Sequence, residues 1–369
     1  MRLNPAHLSQ MTQDQMRLLQ CMEILSKNHQ IIPMDLIGAL YKRPVYKELK
    51  QLMVWKLITY ENNAKACGYR LGYGGYDYMA LYTLNKRGLL GIGNQLGVGK
   101  ESDVYLGKMV LENDSDRLSD GIDVVVKIHR LGRTSFRTVK NNRDYMGDRQ
   151  HASWLYMSRL SAQKEFEFMS ILQNKLPVPI ALGHNRHTVV MSQINGYPVT
   201  QIKSFNNAQL VYEQMKNIFI KLAEFGLIHG DLNVFNLMVS EQEQVFLIDF
   251  PQMVSTSHKD AEFYYKRDMD GIISFGDKFN CDIGDFPSLH SIIVVEALDV
   301  QVKASGFIKP KKIKVKKDPI EKEMIKLSIG PVMSYKEQPE KQKTRKQNKN
   351  KGSSIVPKAD YSSYRQLVD

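Results

Sequence analysis

The run Ile228-His229-Gly230-Asp231-Leu232-Asn233-Val234-Phe235-Asn236 constrains the fold more than any other part of the chain. An apolar strand, Val245-Phe246-Leu247-Ile248, follows it and ends in Asp249-Phe250. The spacing H-x-D-x-x-x-x-N, with a second carboxylate carried by a later strand, converges only if a loop and a strand end face one cleft. Asn236 and Asp249 then offer hard oxygen ligands to Mg2+, and Asp231 is left to orient or deprotonate an acceptor. That set fits phosphoryl transfer, a reaction that depends chiefly on positioning and charge neutralisation. His229 reads as a buried structural hydrogen bonder rather than as a catalytic base.

The upstream sequence supplies what such a cleft needs. Gly97-Val98-Gly99-Lys100-Glu101-Ser102-Asp103-Val104 follows the GxGxxGxV spacing, with Ser102 in place of the third glycine. Small residues there let backbone amides approach phosphates, while Val104 covers an adenine. Glycine-rich turns between strands are common, so this motif is weak alone. Val124-Val125-Val126-Lys127 is an apolar strand ending in a lysine, which places an ammonium over the phosphates of ATP. Glu165, on the next long helical pattern, is the expected partner of Lys127.

The rest of the chain divides by periodicity, as an α+β protein. Residues 12–28 carry Met16, Leu19, Met22 and Ile24 at helical spacing, with Thr12 or Asp14 as cap. Two more short helices follow, one after Pro33 and one marked by Val45, Leu49, Leu52 and Met53. Strands at 57–60 and 68–71, joined by the turn ENNAK, complete a winged helix-turn-helix domain over residues 1–92. Its third helix is assigned Lys42, Arg43, Lys47 and Lys50, either a phosphate-contacting surface or a solvated face. A helix over 76–86 leads to Gly91 and Gly93, a hinge by composition. Residues 93–195 alternate strands around a helix at 154–172. Residues 196–292 are mainly helical, and 293–369 form a Lys-rich tail without periodicity, expected to be disordered.

Composition bounds the partners. Lys plus Arg number 51 against 39 Asp plus Glu, a formal charge of +12 that favours polyanions. Cys21, Cys67 and Cys281 lie too far apart for a disulfide framework or metal knuckle, which points to a reducing compartment. The first residues contain no apolar signal core, and no run of about eighteen apolar residues occurs, so neither secretion nor membrane spanning is expected.

Long segments together resemble one family. GYRLGYGGYDYMAL, GNQLGVGKESDVY, VVKIHRLGRTSFR, SWLYMSRLSAQKEFEFM, INGYPV, IHGDLNVFN and IDFPQMVSTSH resemble the RIO atypical serine/threonine kinases, in the branch that bears an N-terminal winged helix. The resemblance implies a bilobal, truncated kinase-like domain, with a small lobe at 93–195 and a large lobe at 196–292, that binds ATP and Mg2+. Lys127, Glu165, Asp231, Asn236 and Asp249 fall on its functional positions, and Gly97, Val98, Gly99, Lys100, Ser102 and Val104 on its phosphate cover. Met191, Ser192 and Ile194 match the adenine-binding hinge, and 133–153 its flexible loop. Asp249 matches an aspartate that accepts phosphate. Val234 and Ser192 depart from glutamates usual in the family. The resemblance further implies late maturation of the small (40S) ribosomal subunit. The winged helix and tail would bind the precursor particle, in a cytoplasmic protein that can shuttle through the nucleus. Two other readings stand beside it, a small-molecule phosphotransferase and a non-catalytic nucleotide-binding scaffold. The winged helix and basic tail oppose the first, and the intact Lys127, Asp231, Asn236 and Asp249 oppose the second.

Overall fold

Thr12 ends an irregular N-terminal segment with a reciprocal cap. Its Oγ1 accepts the Gln15 N–H at 3.2 Å, while the Gln15 side chain accepts the Thr12 N–H at 3.0 Å. Two backbone donors are satisfied at once, and α1 (Gln13–Leu25) starts there. The computed structural model describes residues 3–63, 66–110, 121–133 and 153–302. With α2 (Met34–Tyr41) and α3 (Tyr46–Val54), α1 buries Met16, Leu19, Met22, Ile37, Leu49 and Leu52 in one core. The antiparallel hairpin β1 (Ile58–Asn63) and β2 (Ala66–Leu71) closes it as the expected wing. The strands run into the ENNAK turn, where Asn63 pairs with Ala66.

Three local expectations change. Pro33 is the N-cap of α2, not a residue of its first turn. Lys42 terminates α2 in a left-handed conformation, φ 58°, and Arg43 bonds Asp14 at 2.7 Å, so only Lys47 and Lys50 of the four basic residues lie on α3. Both are exposed, beside the exposed Tyr46. Gly91 and Gly93 lie inside β3 (Leu89–Val98) rather than between elements: Gly91 pairs with Lys108 of β4 (Ser102–Met109), and Gly93 falls in a register shift between the paired Ile92 and Gln95.

Helix α4 (Tyr73–Asn85) is buried on nearly every side. Tyr76, Tyr78 and Met79 join the winged-helix core, whereas Leu81 and Leu84 join a second core with Tyr105, Val124, Val126 and Ile128. A helix without a polar face has to be packed all round, and α4 achieves this by belonging to two domains. The second core underlies an antiparallel sheet of β3, β4, β5 (Ile122–His129), β7 (Thr188–Ser192) and β6 (Ala181–Asn185), in that order. Helix α5 (Trp154–Leu172) packs against it with the bounds the sequence suggested. Of the loop expected at 133–153, residues 134–152 lie outside the described residues.

The large lobe is built on α6 (Ala208–Glu224) and α7 (Ala261–Phe279). Four short strands set its loops: β9 (Leu227–Ile228) pairs with β12 (Val254–Ser255), and β10 (Leu237–Ser240) with β11 (Val245–Leu247). A further strand, β8 (Gly196–Pro198), pairs with β10. These ladders bring 229–236 and 248–253 side by side. The tail assigned from residue 293 begins as packed structure: Leu298 and Val302 are buried in the large-lobe core, and the Leu298 N–H donates to the Phe225 carbonyl at 3.0 Å. Residues 303–369 lie outside the described residues.

Candidate active site

Strand alternation decides which residues of β5 face the cleft. Val124, Val126 and Ile128 point into the small-lobe core, so Lys127 and His129 share the opposite face, toward α5. The Lys127 Nζ donates to Glu165 Oε1 at 2.6 Å and to Asp249 Oδ1 at 2.8 Å. His129 Nε2 lies 2.7 Å from Glu165 Oε2, and its Nδ1 lies 3.0 Å from the Ser161 hydroxyl. A proton on Nε2 satisfies both contacts, since Nδ1 then accepts from Ser161. Burial pushes Glu165 up, but the Lys127 ammonium and the His129 bond outweigh it and hold the carboxyl below its usual range. Burial pushes Lys127 down, and the charges of Asp249 and Glu165 raise it above its ordinary value. Both groups stay charged in the buried pair.

Asp249 ends β11's continuation with φ 71°, a left-handed conformation that costs a non-glycine residue free energy and recurs where a site imposes it. Burial pushes its carboxyl up, and the charge and hydrogen bond of Lys127 overcome that, bringing it down to about 2. Its side chain remains 39% exposed, opening on the cleft. Three amides cage Asp231: Asn233 Nδ2 donates to Oδ1 at 3.1 Å, and Asn236 Nδ2 and Gln252 Nε2 donate to Oδ2 at 3.2 and 2.9 Å. His229 is fully buried, and neither ring nitrogen finds a partner of good geometry among the described residues, although the Ile248 backbone lies beside the ring. His229 is thus a buried structural residue, as expected, with the Ile248 backbone as a polar neighbour, and burial lowers its pKa to about 4, so it is neutral near pH 7.

The backbone of the Asp231 loop hangs from α7. Asp268 accepts the Gly230 N–H at 2.7 Å and the Leu232 N–H at 2.8 Å. Gly230 has φ 75°, and a Cβ there would stand 2.8 Å from the Gln252 carbonyl. One turn beyond Asp268, a Cβ on Gly271 would meet the Leu232 carbonyl at 2.2 Å. Only glycine allows so close an approach of helix and loop. Val234 packs its side chain against the large-lobe core.

Gly99, Lys100, Ser102, Lys127, Asp231, Asn236 and Asp249 line a common cavity of about 530 Å³. Gly97, Val98 and Val104 lie on the adjoining strands β3 and β4 without lining it. Nor do Met191, Ser192 and Ile194 form its walls; the Ser192 N–H donates to the Ile180 carbonyl at 2.9 Å. Sequence reasoning missed four residues: His129, Asn233, Gln252 and Asp268. His129 was legible as the residue two places beyond Lys127 on the same strand face. Asp268 carried no local signal.

The residues present fit a nucleotide with Mg2+. Among the described residues no cluster of three His, Cys, Asp or Glu side chains could hold a metal alone. A magnesium ion shared between phosphate oxygens and one or two carboxylate or amide oxygens needs no such cluster. Asn236 Nδ2 is engaged by Asp231, which leaves its carbonyl oxygen for a cation, beside the ionised Asp249.

Comparison with known proteins agrees with this geometry. The family model "RIO domain" matches residues 103–289, and the model "Rio2, N-terminal" matches residues 8–87. Serine/threonine-protein kinase rio2 of Schizosaccharomyces pombe is 42% identical over 315 residues, covering 83% of this chain and 89% of that protein. The rio2 kinase of Dictyostelium discoideum is 44% identical over 313 residues, but the match spans only 58% of that longer protein. The crystal structure of the Rio2 kinase–ADP/Mg2+–phosphoaspartate complex from Chaetomium thermophilum aligns with a TM-score of 0.71 at 36% identity, covering 84% of this chain and 95% of that one. The chain belongs to the RIO family of atypical serine/threonine kinases, in the branch with the Rio2 N-terminal domain.

Proposed function

We propose that the protein is a Mg2+-dependent atypical serine/threonine kinase and ATPase that acts on the maturing small (40S) ribosomal subunit, with turnover coupled to its release. The observation that carries the reading is the ionised Asp249, held at 2.8 Å by Lys127 in the cavity it shares with Asp231. Bound Mg2+ would neutralise phosphate charge between Asn236 and Asp249. Lys127 steadies the phosphates and holds Asp249 ionised. A carboxylate oxygen of Asp249 attacks the γ-phosphorus as the bond to the bridging oxygen breaks, and ADP leaves. A water oriented by Asp231 then cleaves the acyl phosphate, releasing phosphate and restoring the carboxylate. The related complex from Chaetomium thermophilum, described as a phosphoaspartate complex, supports this order.

The formal charge of +12 and the exposed Lys47, Lys50 and Tyr46 on α3 support a polyanionic partner such as the rRNA of the precursor particle. The Lys-rich segment beyond residue 303 would add to that attraction. Such a protein acts in the cytoplasm and passes through the nucleus with its particle. With ATP labelled in the γ-phosphate, the wild type should acquire acid-stable, hydroxylamine-labile label that Asp249→Asn lacks, and precursor particles should change its turnover. Equal inertness of wild type and Asp231→Ala, with and without particles, would replace this reading by a scaffold. Lys47→Gln with Lys50→Gln should flatten the salt dependence of particle binding by about one unit of slope per lysine.

A further inference from the structure

A chain of charges, three of them buried, joins the winged helix to the glycine-rich turn. On α4, the two carboxylate oxygens of Asp77 accept from Arg130 Nη1 and Nη2 at 2.6 and 2.7 Å. Arg130 Nε donates to Asp103 Oδ2 at 3.1 Å. Arg133 Nη2 donates to both oxygens of Asp103 at 2.7 and 2.8 Å, and its Nη1 donates to the Gly99 carbonyl at 2.9 Å. Gly99 lines the nucleotide cavity. The Arg130 N–H also donates to the Glu101 carbonyl, in the same turn, at 2.5 Å. Asp77, Asp103 and Arg130 are each no more than 2% exposed.

The charges balance without a further ion, two carboxylates against two guanidiniums. His187 Nε2 lies 2.8 Å from Asp77 Oδ1, and burial lowers its pKa, so it completes the hydrogen bonding of Asp77 as a neutral ring. Burying three of these four charges costs desolvation, and a packed apolar patch would dock two domains at least as well. What the ionic chain adds is direction. Arg130 shares Asp103 with Arg133, so removing the Asp77 carboxylate leaves Arg130 one anion, the one that holds Arg133. Arg130 then competes for Asp103, and the grip of Arg133 on Gly99 loosens.

We infer that Asp77, Arg130, Asp103 and Arg133 form a positioning relay by which α4 of the winged-helix domain sets the glycine-rich turn for nucleotide binding. The relay rests on the cavity being a nucleotide site. It makes the winged helix part of the nucleotide machinery: a polyanion that displaces α4 would alter nucleotide affinity, and nucleotide would alter polyanion affinity by the same factor.

The test is titration of the full-length chain with MgADP. Asp77→Asn and Arg133→Gln should each weaken binding by about 2- to 30-fold, the range for residues that couple two sites. Their double variant should bind no worse than the weaker single one, because one path has been cut twice. Arg133 is 24% exposed at the end of the chain, so Arg133→Gln carries the test if Asp77→Asn fails to fold. Glu23→Gln is the control. Glu23 also joins the winged helix to the small lobe, through Arg186 at 2.6 Å, but its contact does not reach the turn. That variant should bind MgADP as the wild type does. Wild-type affinity in Arg133→Gln, additive losses in the double variant, or a loss in Glu23→Gln equal to that in Asp77→Asn would overturn the relay alone. No MgADP binding by the wild type would overturn the nucleotide reading, and the relay with it.

Discussion

Replacing Glu165 by glutamine tests whether a buried charge pair, and not shape alone, holds the small-lobe strand to its helix. Glu165 is 1% exposed and uses both oxygens, one for Lys127 at 2.6 Å and one for His129 at 2.7 Å. Glutamine is nearly isosteric but offers one acceptor and one donor. The His129 ring can switch tautomer to accept the amide N–H while donating to Ser161. The amide oxygen then stays on Lys127, and what is lost is the negative charge opposite its ammonium. Breaking one side of a buried ion pair costs about 3–5 kcal/mol, and the surviving Asp249 contact places this case near the lower figure. At a urea dependence of about 3 kcal/mol per molar, a loss of about 3 kcal/mol lowers the unfolding midpoint by about 1 M. The assay is urea unfolding followed by circular dichroism, with ATP turnover measured in parallel. Turnover should fall as well, because Lys127 loses the partner that orients it. An unchanged midpoint with wild-type turnover would refute the reasoning, since the pair would then contribute neither stability nor position.

Burial raises Asp268 to about 7 from 3.8, against the backbone N–H groups of Leu232 and Gly230 that favour its charged form. Between those values the folded chain keeps a proton that the unfolded chain releases. Stability from this group is full below about pH 4 and falls by at most about 1.4 kcal/mol per unit as pH rises to 7. Asp268→Asn should remove that slope from a pH series of urea unfolding, and parallel slopes would reject the assignment. Gly271→Ala drives a Cβ into the Leu232 carbonyl, so it should cost about 1–3 kcal/mol and reduce kcat by shifting the Asp231 loop. A stable, fully active alanine variant would show that helix and loop part without consequence.

Much of the site was legible because its chemistry is local in the chain. Asp231 and Asn236 lie on one loop, Lys127 closes an apolar strand, and Asp249 ends another, so spacing alone suggested that they meet. The bounds of α5 were legible for the same reason, and the cap of α1 was narrowed to Thr12 or Asp14, of which the structure selects Thr12, since capping and helical periodicity are written within a few residues. Gly91 and Gly93 were read as a hinge because composition marks a flexible pair but not the strand that incorporates it, with Gly91 paired and Gly93 at a ladder irregularity. The basic residues before α3 were misplaced because helix ends are fixed by backbone conformation, here the left-handed Lys42.

What the sequence by itself determined was therefore the fold class, the family and the set Lys127, Asp231, Asn236 and Asp249 that lines one cavity. Tertiary structure alone decided how those residues are held. Asp268 lies 37 residues beyond Asp231 in the numbering yet suspends its loop, and Asp77 reaches the glycine-rich turn through Arg130, Asp103 and Arg133. Neither contact leaves a periodic or local signature. A hydrogen bond or ion pair between distant segments depends on where each lies in space, and packing of α4 and α7 sets that position.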